Sequence, residues 1–140
     1  GATAYLPHRF HQRCVVYTGT HDNDTMQGLL DAGERSSNQH EREQLTRQRE
    51  RALAYAGSDG REPHWDLIRS ALGSVANTAI FPIQDVLGQG TEARMNIPGT
   101  PDGNWGYRLQ AELLSSKVAA KLASLTETYE RLPSSLRRDT

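Results

Sequence analysis

The chain has 140 residues, 16 basic and 17 acidic, for a net charge of −1. That length suits one domain with its own core, and the balanced charge lacks the basic footprint of a nucleic-acid binder. One cysteine excludes an intrachain disulfide and a cysteine zinc site, and no apolar run nears the ~18 residues of a membrane span.

In chain order, Gly1 to Arg13 reads as irregular, and GATAYLPHRF lacks the apolar region of a signal peptide, which predicts a cytoplasmic protein. Cys14 to Thr20 is β-branched and apolar on both faces, predicting a strand buried on two sides, with Cys14 an inert buried thiol. Asn23 or Asp24 then offers an N-cap for a short helix over Thr25 to Asp31, closed at Gly33. Glu34 to Tyr55 is polar and helical in composition, with Leu45, Ala52, Leu53 and Ala56 as a thin apolar stripe. The stretch 34–61 reads as a solvent-facing insertion, and Gly57 to Pro63, the breaker-rich GSDGREP, as a loop.

His64 to Val75 carries Trp65, Ile68, Leu72 and Val75 at helical spacing, with Pro63 in the first turn. Thr78 to Ile83 predicts a second buried strand, although Pro82 counts against a regular central one. Gly88 to Tyr107 is a long loop whose Met95, Trp105 and Tyr107 favour order. Ser115 to Leu132 is a helix with Val118, Leu122, Leu125, Tyr129 and Leu132 on one face, stopped by Pro133. Strand, helices, strand, loop and helix in that order predict an α/β fold with a parallel sheet. Two strands do not make a stable sheet alone, so a larger whole or an assembly is expected.

Chemistry concentrates just past the two strands. In parallel sheets, ligands bind beyond the strands' carboxyl ends. His21-Asp22-Asn23-Asp24 follows the first strand, and Gln84-Asp85 follows the second. Helix capping accounts for Asn23 or Asp24 and leaves His21 and one aspartate unexplained. His21, Asp22 and Asp24 are also acceptable metal ligands, but their spacing matches no strong metal motif. His8 and His11 lack companions and read as loop histidines. No G-x-S-x-G elbow and no phosphate-binding glycine loop with its lysine is present. Trp105 and Tyr107 either stack on a sugar face or plug a core, with core packing preferred.

Three stretches, VVYTGTHDNDT, SVANTAIFPIQDVLGQGTEARMNIPGT and GNWGYRL, together closely resemble the carboxyl-terminal part of 4-alpha-glucanotransferases (amylomaltases, disproportionating enzymes) of glycoside hydrolase family 77. The resemblance runs from about Tyr5 to about Leu132 and is weak over 33–61. It implies the last two strands, most simply the seventh and eighth, and the closing helix of a (β/α)8 TIM barrel, with residues 1–140 forming the carboxyl-terminal part of the catalytic barrel. It implies transfer of α-1,4-glucan segments between maltooligosaccharides or starch chains by a retaining double displacement, without cofactor or metal. The Asp nucleophile and Glu acid/base lie upstream in that family and are absent here, so the chain alone is expected to be inactive. Asp22 matches the transition-state-stabilising aspartate, His21 a substrate-binding histidine and Asn96 a donor-side sugar contact. The implied partners are α-1,4-glucans and the amino-terminal part of the same enzyme, with no nucleic acid and no membrane. A different class of reading, a non-catalytic carbohydrate- or partner-binding module derived from barrel sequence, stays open on the residues alone.

Overall fold

The computed structural model describes residues 6–136. The first five residues of the segment read as irregular lie outside them. From Leu6 onward that segment contains one short 3-10 turn, Pro7–Arg9.

Two parallel strands, β1 (Val15–Tyr17) and β2 (Thr78–Ile80), pair with Val15 opposite Thr78 and Tyr17 opposite Ile80. Between them run α1 (Met26–Leu30), α2 (Ala32–Arg35), α3 (Gln39–Ala56) and α4 (Pro63–Leu72); after β2 come α5 (Ile83–Val86) and α6 (Ser116–Thr128). The predicted α/β order and parallel pairing are thus present. The strands are shorter than expected and are not buried on both sides. Val16 is buried, whereas Val15, Tyr17 and Ile80 are 41%, 52% and 50% exposed. Each strand has one partner and one open edge among the described residues. Pro82, with no N–H to donate, does not extend β2; it stands at the start of α5 instead.

Helix α4 starts at Pro63 and α6 is capped by Ser115, as expected; other helix ends depart from expectation. Thr25, not Asn23 or Asp24, caps α1, its side chain accepting from Gly28 N at 3.0 Å. Gly33 does not stop a helix; it is buried inside α2, against the backbone of Arg42 and the side chains of Leu45 and Thr46. The long polar helix starts at Gln39, capped by Asn38, whose side chain accepts from Glu41 N. Its thin stripe faces inward as its spacing required, with Ala56 buried and Leu45, Ala52 and Leu53 half-buried, and α3 lies against α1, α2 and α4. Helix α4 ends at Leu72 with Gly73 as its C-cap, which leaves Val75 58% exposed rather than on the helix face. Helix α6 ends at Thr128, before Pro133; Leu132 is outside it. Arg131 then donates to the carbonyls of Leu72, Ser74 and Ala76 at 2.7–2.8 Å, binding the chain after α6 to the end of α4.

The core sits between α4, α5 and α6. Met26, Trp65, Ile68, Leu72 and Val86 form its buried centre, and Val118, Leu122, Leu125 and Tyr129 cover it from α6 and its end. Ile68 is fully buried, so truncation to alanine there costs about 2–5 kcal/mol. A second cluster of Val16, Ala71 and Ala76, with Phe10 and the half-buried Cys14, backs β1. This scaffold also seats the long loop's start. Gly88 has φ +64°, and a Cβ there would come within 2.8 Å of the His64 ring, so the turn and the imidazole require each other's shape.

Two outcomes follow from this packing. The isolated chain, with open strand edges and exposed Val15, Tyr17 and Ile80, self-associates when purified. Sedimentation velocity checks this, and a monomer that unfolds in one sharp transition contradicts it. Burial chiefly holds the His64 imidazole below its ordinary pKa, against an opposing pull from the Glu62 carboxylate. Its folded form resists protonation, so the stability it contributes is present above the unfolded value near 6.5 and is lost as pH falls below that. In melting curves, the difference between wild type and His64→Gln therefore shrinks from pH 7.5 to pH 5.

Candidate active site

Both strands deliver their carboxyl ends to one side, and the chain there is held by side chains more than by regular structure. Asp85, in α5 just past β2, is only 2% exposed. Its Oδ2 accepts from Thr18 Oγ1 at 2.6 Å and its Oδ1 from Met26 N at 2.7 Å. One carboxylate thus fixes the exit of β1 and the start of α1, the two ends of the loop carrying His21 and Asp22. Within that loop, Asn23 N donates to Thr20 O at 3.1 Å, and Asn23 Oδ1 accepts from Thr20 N and Oγ1, both at 2.9 Å. Asn23 is therefore a turn-closing residue.

Asp24 turns inward, its side chain 8% exposed. It accepts from Thr25 N at 2.8 Å, Arg35 Nη2 at 3.0 Å and Thr91 Oγ1 at 2.9 Å. Its carboxylate occupies the space a side chain at residue 28 would need; a Cβ on Gly28 would lie 2.5 Å from Asp24 Oδ1. Asn23 and Asp24 being used for structure, His21 and Asp22 are left on the outside of the turn, with side chains 56% and 51% exposed.

The opposite wall is the stretch 88–107, ordered around one 3-10 turn, Thr91–Ala93. Buried Gln84 donates to Ala93 O at 3.3 Å, Tyr107 Oη donates to Gln89 Oε1 at 2.6 Å, and Asn104 Oδ1 accepts from Ile97 N at 2.7 Å. Asn96 Nδ2 donates to Asp22 Oδ1 at 2.7 Å, and His21 Nε2 stands 3.3 Å from the same oxygen. Arg94 donates to the main-chain oxygens of Asp22 and Asn96 at 2.8 and 2.9 Å. Trp105, at φ +60°, is tied by its backbone N–H to Met95 O at 2.7 Å; its ring lies 5.2 Å from that of His21, and the residue is 55% exposed.

Between the walls is an open cleft of about 170 Å³, lined by Gly19, His21, Asp24, Gln84, Met95 and Trp105 among others. Asp22 lies in the chain between two of the lining residues, His21 and Asn23, with its carboxylate beside the His21 ring. A carboxylate acceptor, an imidazole and an exposed indole face gathered at one mouth suit a ligand rich in hydroxyls with an apolar ring face.

The three residues singled out from the sequence, His21, Asp22 and Asn96, are brought together here although Asn96 lies 74 residues beyond Asp22. The alternative metal grouping is not assembled, because Asp24 faces away toward Arg35 and Thr91. Among the described residues no three His, Cys, Asp or Glu side chains are grouped as a metal site would need. Trp105 corrects the preference for core packing: it is exposed beside His21, and only Tyr107 is partly buried. Gln84 and Asp85 are buried supports more than ligand groups. Arg94 and Thr91 escaped the sequence reading, since nothing in their spacing announces a bond to residues about seventy positions away.

The chain is similar to known proteins over nearly all its length. It is 44% identical over 133 residues to a 4-alpha-glucanotransferase of Thermus thermophilus, covering 91% of this chain and 25% of that protein. To the 4-alpha-glucanotransferase of Synechocystis it is 43% identical over 129 residues, covering 91% of this chain and 23% of that one. Its fold superposes on amylomaltase from Streptococcus agalactiae, solved in complex with acarbose, with a TM-score of 0.73 at 28% identity, over 93% of this chain and 24% of that one. The chain thus spans about a quarter of the length of these relatives. The family model described as 4-alpha-glucanotransferase matches residues 1–115, and the chain accordingly belongs to glycoside hydrolase family 77.

Proposed function

We propose that residues 1–140 are the carboxyl-terminal part of a 4-alpha-glucanotransferase, contributing one wall of its active site. The observation that carries this reading is the meeting of Asp22, Asn96 and His21 at the carboxyl ends of two parallel strands. In a (β/α)8 barrel the site is built at that end, and β1 and β2 take the places of its seventh and eighth strands, with α6 closing the ring. The segment 34–61 is then a polar helical insertion in the connection between those strands. The open edges and exposed Val15, Tyr17 and Ile80 become contacts with the other six strands.

In the complete enzyme an α-1,4 bond of a maltooligosaccharide or starch chain breaks as an upstream Glu protonates the leaving oxygen. An upstream Asp takes the sugar as a covalent ester. The 4-hydroxyl of a second glucan then displaces it, giving up its proton to the Glu, and the configuration is retained. Each displacement passes through an oxocarbenium-like ring carrying positive charge. The chain's own part is electrostatic. Asp22 presents a carboxylate to hydroxyls of that ring and favours its charge, Asn96, a donor-side sugar contact, also orients that carboxylate, and His21 adds a second polar hold. Trp105 offers an aromatic face for an adjacent sugar. These groups need neither metal nor cofactor for their tasks.

Two measurements test the reading. The 140-residue chain incubated with maltotriose yields no glucose and no longer oligomers, because nucleophile and proton donor are both missing; product that co-purifies with the chain contradicts the assignment. In the full-length enzyme, Asp22→Asn keeps the fold and much of the ground-state binding but loses the charge. Its kcat falls about 10²–10³-fold, as for other preorganised charge-stabilising groups. Asp24→Asn places an amide against three donors and costs about 1–3 kcal/mol of stability, with a much smaller loss of turnover. Should Asp24→Asn be the variant that abolishes turnover and Asp22→Asn the one that only lowers Tm, the roles are reversed.

A further inference from the structure

Asp22 and Asn96 meet through an exposed side-chain hydrogen bond. Exposed hydrogen bonds contribute little net energy, so this one does not fix the distance between two loops unaided. Asp85 holds the ends of the first loop and side-chain-to-backbone bonds order the second, but at Asp22 itself the turn is closed by bonds between Thr20 and Asn23, and Asn96 lies in a stretch without helix or strand, so neither loop by itself sets the separation of Asp22 and Asn96.

Arg94 supplies the constraint. Its Nε donates to Asn96 O at 2.9 Å and its Nη2 to Asp22 O at 2.8 Å. Nε and Nη2 lie on one edge of a rigid planar group, so they hold two carbonyls at a set separation. Because Arg94 is two residues before Asn96, its first bond also folds 94–96 back on itself, with Asn96 Nδ2 directed at Asp22 Oδ1. Both ends of the Asp22–Asn96 bond are thereby anchored to one guanidinium. Thr91, three residues earlier, makes a second tie between the same loops through Asp24.

We propose, resting on the glucanotransferase reading above, that Arg94 is a positioning residue for Asp22. It acts on the main chain beneath the carboxylate and on the amide that orients it, and sets where the negative charge stands relative to the reacting sugar. Misplacement of a reacting or stabilising group by about 1 Å costs up to roughly 10² in rate, and without Arg94 the carbonyls of Asp22 and Asn96 lose their common anchor, leaving the Thr91–Asp24 and Asn96–Asp22 bonds to hold the two loops.

The test uses the full-length enzyme and four variants: Arg94→Ala, Arg94→Lys, Asp22→Asn and the double variant Arg94→Ala/Asp22→Asn. Arg94→Ala lowers kcat about tenfold to a hundredfold with KM little changed, and Arg94→Lys recovers part of this, since an ammonium reaches one carbonyl but lacks the fork. In the Asp22→Asn background, adding Arg94→Ala costs no more than about twofold further, because the group it positions has already lost its charge. Equal losses from Arg94→Ala in both backgrounds overturn the proposal, as does a raised KM with kcat intact, which marks direct ligand contact. A lower Tm with normal kcat also overturns it, leaving Arg94 a purely structural residue. If Arg94→Ala does not fold, Arg94→Lys carries the same comparison in both backgrounds. Failure of the underlying reading is separate: it is Asp22→Asn alone retaining wild-type kcat.

Discussion

The site depends on the carboxylate of Asp85. It is buried beside the cleft, accepting from Thr18 at the exit of β1 and from the first amide of α1. A buried carboxylate without such partners would cost several kcal/mol, and the two donors would in turn lack acceptors. The three elements that meet there therefore have little freedom to separate. The path from Thr18 to Met26 is closed at both ends by one side chain from the segment after β2, and this makes an exposed turn a defined place for chemistry.

Inside that path the labour is divided by direction. Asn23 folds back to close the turn, Asp24 folds inward to hold Arg35, Thr91 and the amide of Thr25, and His21 and Asp22 remain outside. Four adjacent polar residues look redundant as a string, yet each meets a different surrounding. Asp22 and Asp24 differ most. One is half exposed beside a histidine and an amide; the other is nearly covered and bound on all sides. The same chemical group is left with a charge available to a ligand in one case and committed to the fold in the other.

The loop after α5 shows how an irregular segment becomes a rigid wall. Its order comes from side chains reaching the backbone: Gln84 to Ala93, Asn104 to Ile97, Arg94 to two carbonyls. Such bonds need no repeating dihedrals, so they hold Trp105 at positive φ with its ring open to solvent. The β1 and β2 edges, in contrast, are left unsatisfied by anything among the described residues, which agrees with a chain spanning a quarter of its relatives' length.

By itself the sequence determined what depends on short range. Continuous runs of β-branched and apolar residues marked both strands, the repeat of Trp65, Ile68 and Leu72 marked the buried face of α4, and the strand-end position of His21, Asp22 and Gln84-Asp85 marked where ligand groups gather. The likeness of three separated motifs to one family added Asn96. The starts of α4 at Pro63 and of α6 at Ser115 were legible as well, but strand lengths, the helices' carboxyl ends and the cap of α1 were not, because they are settled by which partner reaches a given amide or carbonyl. Thr25 rather than Asp24 caps α1 because Asp24 is claimed by Arg35 and Thr91. Trp105 is exposed rather than buried because its backbone is tied to Met95, its ring beside His21. Only the tertiary structure brought Arg94 to Asp22 and Asp85 to Thr18, across 72 and 67 residues. Contacts at that separation leave no periodic trace in a chain, since loop closure over such distances is decided by the packing of everything between.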